Sequence, residues 1–154
     1  MKKYFMYLLI VFILFGCQNT SISEDERRLD TFFKEVLNLD ISIFDKKVIV
    51  FISGNCGACT DKTIKFLKRV GEDKKTFAEY HKIVVIPENN AYVLDSLKSL
   101  DINFYIQESY VLDKYGVNFP KNLFFDFKHN NLVFREWLSQ ESIDSVAKRY
   151  DITL

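Results

Sequence analysis

Two cysteines stand three positions apart in the run Cys56-Gly57-Ala58-Cys59, directly after the apolar stretch Val48-Ile49-Val50-Phe51-Ile52. A strand that halts at Ser53-Gly54-Asn55 and feeds a helix opening on Cys56 would set that sulfur among unpaired backbone N–H groups. The positive end of the helix dipole there favours the thiolate. The thiolate is the nucleophile in disulfide exchange, so a lowered thiol pKa puts more of the reactive form in solution at neutral pH. Cys59 follows one helical turn later, close enough to displace whatever Cys56 captures. A bridge between the two closes a very small loop and removes little entropy from the unfolded chain, so the pair is poorly explained as a structural staple. A second segment, Tyr115-Gly116-Val117-Asn118-Phe119-Pro120, lies downstream. Together these features point to thiol–disulfide chemistry.

The rival readings of the pair are half a metal site and an inert relic. A metal needs more ligands than two sulfurs, and the histidines His81 and His129 lack the paired spacing of a zinc module. His81 falls at a strand entry and His129 in a hairpin turn, where each reads as an ordinary edge or surface histidine. No metal site and no cofactor are expected. Asp61 and Lys62 fall in the first turns of the helix that Cys56 opens, near enough to tune its charge modestly.

The chain begins Met1-Lys2-Lys3, runs without a charge from Tyr4 to Phe15, and closes on Leu14-Phe15-Gly16-Cys17. That is the layout of a secretory signal, too short to span a bilayer. Leu14, Gly16 and Cys17 resemble the lipobox of bacterial lipoproteins, which implies cleavage before Cys17 and a lipid on its sulfur. Residues 1–16 are then the signal peptide, 17–26 the lipidated N-terminus and linker, and 27–154 one domain. After cleavage 138 residues remain, enough for one core and too few for two. The precursor carries 21 basic and 21 acidic side chains, and the loss of Lys2 and Lys3 leaves the mature part about two units negative, which argues against a nucleic-acid partner. With Cys17 lipidated, Cys56 and Cys59 are the remaining thiols of a chain exported to an oxidising space, and no disulfide framework holds it together.

The elements that must position the cysteines follow from periodicity. Arg28 to Leu39 spaces Leu29, Phe32, Phe33, Val36 and Leu37 as an amphipathic helix. Lys47 to Ser53 reads as a buried central parallel strand. The next helix carries Cys59, Thr63, Ile64, Leu67 and Val70 on one face and ends near Gly71. Ile83 to Ile86 is a second buried strand closed by Pro87, and Asn90 to Leu100 a second crossover helix with Val93, Leu94, Leu97 and Leu100 inward. Asn103 to Gln107 is a short strand and Tyr110 to Tyr115 a helical turn closed by Gly116. Lys121 to Phe127 and Leu132 to Trp137 pair over His129-Asn130-Asn131, and Ser139 to Tyr150 closes the domain as a helix. Trp137 and the fifteen phenylalanines read as packing residues. The alternation of strand and helix is an α/β signature.

From Lys46 to Tyr150 this order of parts resembles the thioredoxin fold, a central mixed β-sheet flanked by helices. It is most similar to the membrane-tethered branch related to the reductases of cytochrome c maturation. Cys56 matches the family's attacking cysteine, Cys59 its resolving cysteine, and Pro120 the proline that follows a cis peptide bond and lies against the pair. Tyr115-Gly116-Val117 and Leu123-Phe124-Phe125-Asp126 also look like the family. The resemblance implies an extracytoplasmic thiol–disulfide oxidoreductase whose substrate groove is shaped by Phe119, Pro120, Asn55, Gly57 and Ala58. The cis proline would leave the Phe119 backbone free to bond an extended substrate. The implied partners are a protein thiol or disulfide, a redox partner that recycles the pair, and a membrane reached through the lipid. An alternative is a redox-inactive binding lipoprotein that captures a partner or a soft metal such as copper(I) through the same sulfurs. The chain departs from the family at Asn55, where Trp is usual, and at Ala58, where Pro is common. Val50 takes the place of a buried relay carboxylate, Lys62 that of an acid after the second cysteine, and Ile64 that of a helix-kinking proline.

Overall fold

The computed structural model describes residues 24–53 and 55–154. The signal segment, Cys17 and the first part of the tether lie outside the described residues, as does Gly54. The chain forms α1 (Glu24–Glu35), β1 (Lys46–Phe51), α2 (Gly57–Glu72), β2 (His81–Pro87), α3 (Tyr92–Asp95), β3 (Asn103–Gln107), α4 (Ser109–Lys114), β4 (Leu123–Lys128), β5 (Asn131–Trp137) and α5 (Ser142–Arg149). Single 3-10 turns sit at Ile41–Ile43 and Glu88–Asn90. The strands make one mixed sheet in the order β3-β2-β1-β4-β5. β1, β2 and β3 run parallel, and β4 is antiparallel to both β1 and β5.

The unbroken apolar sequence of β1 follows from its place at the centre of the sheet, where both faces are covered. Val48, Val50 and Ile52 face Phe66, Leu67 and Val70 of α2 and Ile143, Val146 and Ala147 of α5. The alternate residues Ile49 and Phe51 face Leu29, Phe32 and Phe33 of α1 and Leu112 of α4. The side-chain period of two along a strand thus divides the interior into two cores.

α1 starts earlier and stops earlier than the sequence suggests, so Glu24, Asp25 and Glu26 are helical and do not belong to the tether. These acids complement the positive end of the helix dipole, and Glu24 pairs with Arg27 and Arg28 at 3.2 and 2.7 Å. The helix ends because Asn38 takes a left-handed conformation, φ 49°, and Leu39 N–H returns to the Phe33 carbonyl at 2.9 Å. The helix expected over Asn90 to Leu100 shrinks to Tyr92–Asp95. The rest winds on through tighter i→i−3 bonds, Leu97 N–H to Leu94 C=O at 2.9 Å and Leu100 N–H to Leu97 C=O at 3.0 Å. Asp95, Ser96 and Ser99 are weak helix formers in that run. Its apolar side chains Val93 and Leu97 are buried all the same. The hairpin turn is the two-residue His129-Asn130, both at positive φ, which matches the twist of the flanking strands, and Asn131 belongs to β5.

Asp126 of β4 is buried, with Oδ2 accepting the Tyr150 hydroxyl at 2.7 Å, while Oδ1 finds no hydrogen-bond partner among the described residues. Burial pushes its pKa above the ordinary carboxylate value. The folded state therefore holds this proton at pH values where the unfolded chain has released it, and folding stability falls as pH rises through that window. Asp126→Asn removes the ionisation. Urea unfolding of variant and wild type at several pH values from 4 to 7 should show the variant gaining stability relative to the wild type as pH rises. Parallel pH profiles would contradict a buried, pKa-raised Asp126.

Candidate active site

β1 stops where the sheet stops, with Ile52 N–H still bonded to the Val85 carbonyl at 3.0 Å. The next residue, Ser53, is buried, and its backbone groups have no strand to pair with, so side chains must satisfy them. Its N–H donates to Asn122 Oδ1 at 2.8 Å, and its carbonyl accepts from Asn90 Nδ2 at 3.3 Å. Its hydroxyl oxygen accepts the Asn55 N–H at 3.4 Å. Two asparagines from separate loops thereby fix the direction in which the chain leaves the sheet.

Cys56 is the N-cap of α2, with φ −138° and ψ 100°. Its sulfur takes the role that an oxygen of Ser or Asp usually plays, accepting the Cys59 N–H at 3.3 Å, while its carbonyl accepts the Thr60 N–H at 2.9 Å. Cys56 and Cys59 are joined in a disulfide with Cα atoms 5.3 Å apart. Cys56 is exposed, Cys59 half-buried, and Asn55, Gly57 and Ala58 are exposed beside them. Nothing lies within 4 Å of a Cβ built on Gly57, so the approach to the disulfide over that residue is open.

The second predicted segment arrives at the same end of the sheet. Asn55 Nδ2 reaches the Pro120 carbonyl at 3.5 Å, and Pro120 is exposed. The Phe119 ring is buried against Phe51, Phe125 and Trp137, with centroids 5.1, 5.9 and 6.0 Å apart. The expected cis bond is corrected: no peptide bond among the described residues is cis, and Phe119–Pro120 is trans. Trans is the lower-energy isomer of an X–Pro bond by about 0.5–1 kcal/mol, and here the Phe119 ring is sunk in the core while Pro120 stays at the surface.

Three departures from the family pattern have clear structural uses. Val50 packs in the core between the sheet and α2, with Phe124 as its register partner on β4. Ile64 packs against the edge of the same core. Lys62 donates to the Gln140 carbonyl at 2.6 Å and to Asp144 Oδ2 at 2.7 Å, fastening α2 to α5. The histidines lie at the far end of the sheet: His81 pairs with Lys47 at the start of β1 and stacks on Phe44 with centroids 3.6 Å apart. His129 Nδ1 lies 2.9 Å from Asp45 Oδ1. Among the described residues, no three His, Cys, Asp or Glu side chains come together as a group able to hold a metal.

Sequence reasoning missed the polar residues beneath the disulfide. Asn122 Nδ2 donates to Thr63 Oγ1 at 2.9 Å, and the Thr63 hydroxyl donates to the Cys59 carbonyl at 2.8 Å. An asparagine opening the apolar run Leu123-Phe124-Phe125 was the available signal. Periodicity reads it as a strand end, because periodicity carries no information about what satisfies a loop.

The crystal structure of a chain assigned as the thiol:disulfide interchange protein DsbE of Chlorobium tepidum aligns with a TM-score of 0.50 at 10% identity, covering 70% of this chain and 79% of that one. The fold is thioredoxin-like. No family model matches the sequence, and no curated protein matches it either. At 10% identity the likeness lies in the arrangement of sheet and helices. Within this thioredoxin-like frame the Cys56–Cys59 disulfide sits at the N-terminus of α2, at the C-terminal end of the central strand.

Lys62 acts as a brace, and its removal should show as lost stability and not as altered sulfur chemistry. Lys62→Ala should lower unfolding stability by about 0.5 kcal/mol, the scale of a partly exposed ion pair. The alkylation rate of Cys56 in the reduced protein should stay within about twofold of wild type, since the helix end is retained. A large rate change would mean that Lys62 tunes the thiolate directly.

Proposed function

We propose that this chain is a lipid-anchored thiol–disulfide oxidoreductase working on protein thiols or disulfides outside the cytoplasm of a bacterium. The observation that carries the reading is the exposed N-cap position of Cys56, bridged to a less exposed Cys59 one turn later on a thioredoxin-like fold. Cys56 is the attacking sulfur, because it is the one a partner reaches and the one at the helix N-terminus. In the reducing direction the Cys56 thiolate attacks a substrate disulfide, forming a mixed disulfide and releasing one substrate sulfur as thiolate. Cys59 then attacks the Cys56 sulfur, the second substrate sulfur leaves, and the Cys56–Cys59 bond forms. The substrate has gained two electrons and two protons, and an external dithiol must return them to the enzyme. With a dithiol substrate the same steps run backwards.

Asn55, Gly57, Ala58 and Pro120 form the contact surface around Cys56, and with Phe119–Pro120 trans the strand-like pairing expected of the Phe119 backbone is not part of it. The exposure of those four residues supports this, and an amide at position 55 makes the rim more polar than an indole would. The lipobox resemblance at Leu14, Gly16 and Cys17 supports the anchor, and no helix among the described residues is long and apolar enough to cross a membrane.

Two measurements test the reading. Cys59→Ser should accumulate mixed disulfides with partner proteins, visible on non-reducing gels and lost on reduction, while Cys56→Ser should accumulate almost none. Trapping by Cys56→Ser instead would reverse the assignment, and a wild-type protein that never reduces insulin with a dithiol present would leave a binding protein. Separately, the full precursor made in a bacterial host with lipoprotein processing should partition into the detergent phase as a chain cleaved before residue 17 and carrying lipid, and Cys17→Ala should lose both the cleavage and the lipid. Equal partitioning of both into the aqueous phase would refute the anchor.

A further inference from the structure

We infer that Asn122 is a positioning residue for the thiol–disulfide reaction, holding the loop before Cys56 and the backbone of Cys59 in register through one buried amide. The inference rests on the oxidoreductase reading and concerns the same site. The Asn122 side chain is 2% exposed and makes contacts to both sides of the cysteine pair. Its Oδ1 accepts the Ser53 N–H at 2.8 Å and lies 3.3 Å from the Ser53 hydroxyl. Its Nδ2 donates to the Thr63 hydroxyl at 2.9 Å, which in turn donates to the Cys59 carbonyl at 2.8 Å. Its own carbonyl accepts the Leu138 N–H at 2.7 Å, so the amide is carried on a backbone tied to the exit of β5.

Only an amide satisfies both ends of this bridge. The Ser53 N–H is a donor and demands an acceptor, which fixes the orientation of the Asn122 side chain. The Thr63 hydroxyl gives its proton to Cys59 and is left needing a donor. A carboxylate could serve the first end and not the second, and leucine neither, leaving a buried N–H orphaned.

The bridge matters most when the disulfide is open. In the oxidised protein a covalent bond holds Cys59 next to Cys56. In the reduced protein that link is gone, and what keeps the two sulfurs in reach is the first turn of α2 together with the chain from Ser53 through Asn122 and Thr63 to Cys59. Loosening the chain lowers the effective concentration of the Cys59 thiol at the Cys56 sulfur. The internal disulfide then becomes easier to reduce, and Cys59 resolves mixed disulfides more slowly.

The test is the equilibrium of the protein's own disulfide with glutathione, in which two glutathione thiols become one glutathione disulfide while the Cys56–Cys59 bond opens and both sulfurs take up protons. Wild type, Asn122→Leu, Thr63→Val and Thr63→Ser are equilibrated across glutathione ratios, with folding checked by circular dichroism, and the oxidised fraction is read by alkylation and mass. Asn122→Leu and Thr63→Val should each lower the constant for forming the internal disulfide about tenfold, the scale of one buried hydrogen bond. That corresponds to about 30 mV less negative for this two-electron couple. Thr63→Ser keeps the hydroxyl and should stay near wild type, and the double variant Asn122→Leu/Thr63→Val should shift little further. A merely structural amide would lower the melting temperature and leave this constant unmoved. If Asn122→Leu does not fold, the Val and Ser pair at position 63 decides. Folded Thr63→Val with a wild-type constant overturns the inference. Absence of turnover on protein substrates would instead sink the oxidoreductase reading, because the glutathione equilibrium is measured on the chain itself.

Discussion

The site depends on one constraint: β1 is covered on both faces, and the chain leaving it must become an exposed helix start within a few residues. Ser53 is where that constraint falls hardest. It lies beyond the last ladder bond yet still inside the protein, so its N–H and carbonyl must find partners or leave the loop strained. Asn122 and Asn90 supply them from the connections before β4 and after β2. Because those connections lie at the same end of the sheet as the end of β1, the solution to a backbone problem also gathers three loops around Cys56. The functional surface follows from the need to end a buried strand cleanly.

Much of this was legible in the sequence, for definite reasons. The run from Val48 to Ile52 announces a strand buried on both sides, since a strand covered on one side would alternate. The CxxC spacing announces two sulfurs on adjacent turns only if a helix starts there, and the strand-stop at Ser53-Gly54-Asn55 supplies that start. What was not legible depended on long-range choices. The isomer of the Phe119–Pro120 bond was inferred from a family pattern, and the position of the Phe119 ring among Phe51, Phe125 and Trp137 is set by three elements distant in sequence. The shortening of the crossover helix after β2 reflects weak formers such as Ser96 and Ser99 within a pattern of which Val93 and Leu97 stay buried while Leu94 and Leu100 are partly exposed. The buried amide bridge was invisible because hydrophobic periodicity records what is covered by apolar neighbours, not which loop N–H lacks a partner.

Within the site, charge is conspicuous by its position. Val50 is an aliphatic residue packed in the core, and the first ammonium after the cysteines, on Lys62, is committed to Asp144 and the Gln140 carbonyl. The groups beneath the disulfide, from Ser53 through Asn122 to Thr63, are neutral and fully oriented. A neutral network fixes geometry without titrating, so it does not divide the domain's redox chemistry into pH regimes as a buried carboxylate would. The tunable element left is the helix N-terminus itself, whose partial positive charge acts on the Cys56 sulfur at every pH.

That arrangement assigns the two cysteines unlike proton problems. Cys56, exposed at the helix end, loses its proton directly to water, and the dipole favours the result. Cys59 is half-buried, and in the proposed reaction its proton must leave before it attacks the mixed disulfide. With an aliphatic side chain at position 50 and the Thr63 hydroxyl already donating to the Cys59 carbonyl, the routes left are solvent at the exposed edge of Cys59 and the substrate thiolate released when Cys56 attacks. The second route couples resolution to the basicity of the substrate sulfur released first: a thiolate of high pKa takes the proton readily but leaves slowly in that first step, and one of low pKa does the reverse. In the proposed reaction the pace is then set by the substrate's own sulfur as much as by the side chains of the domain. The rim at Asn55, Gly57 and Ala58 is exposed, which leaves the first of these routes, solvent, open to the pair.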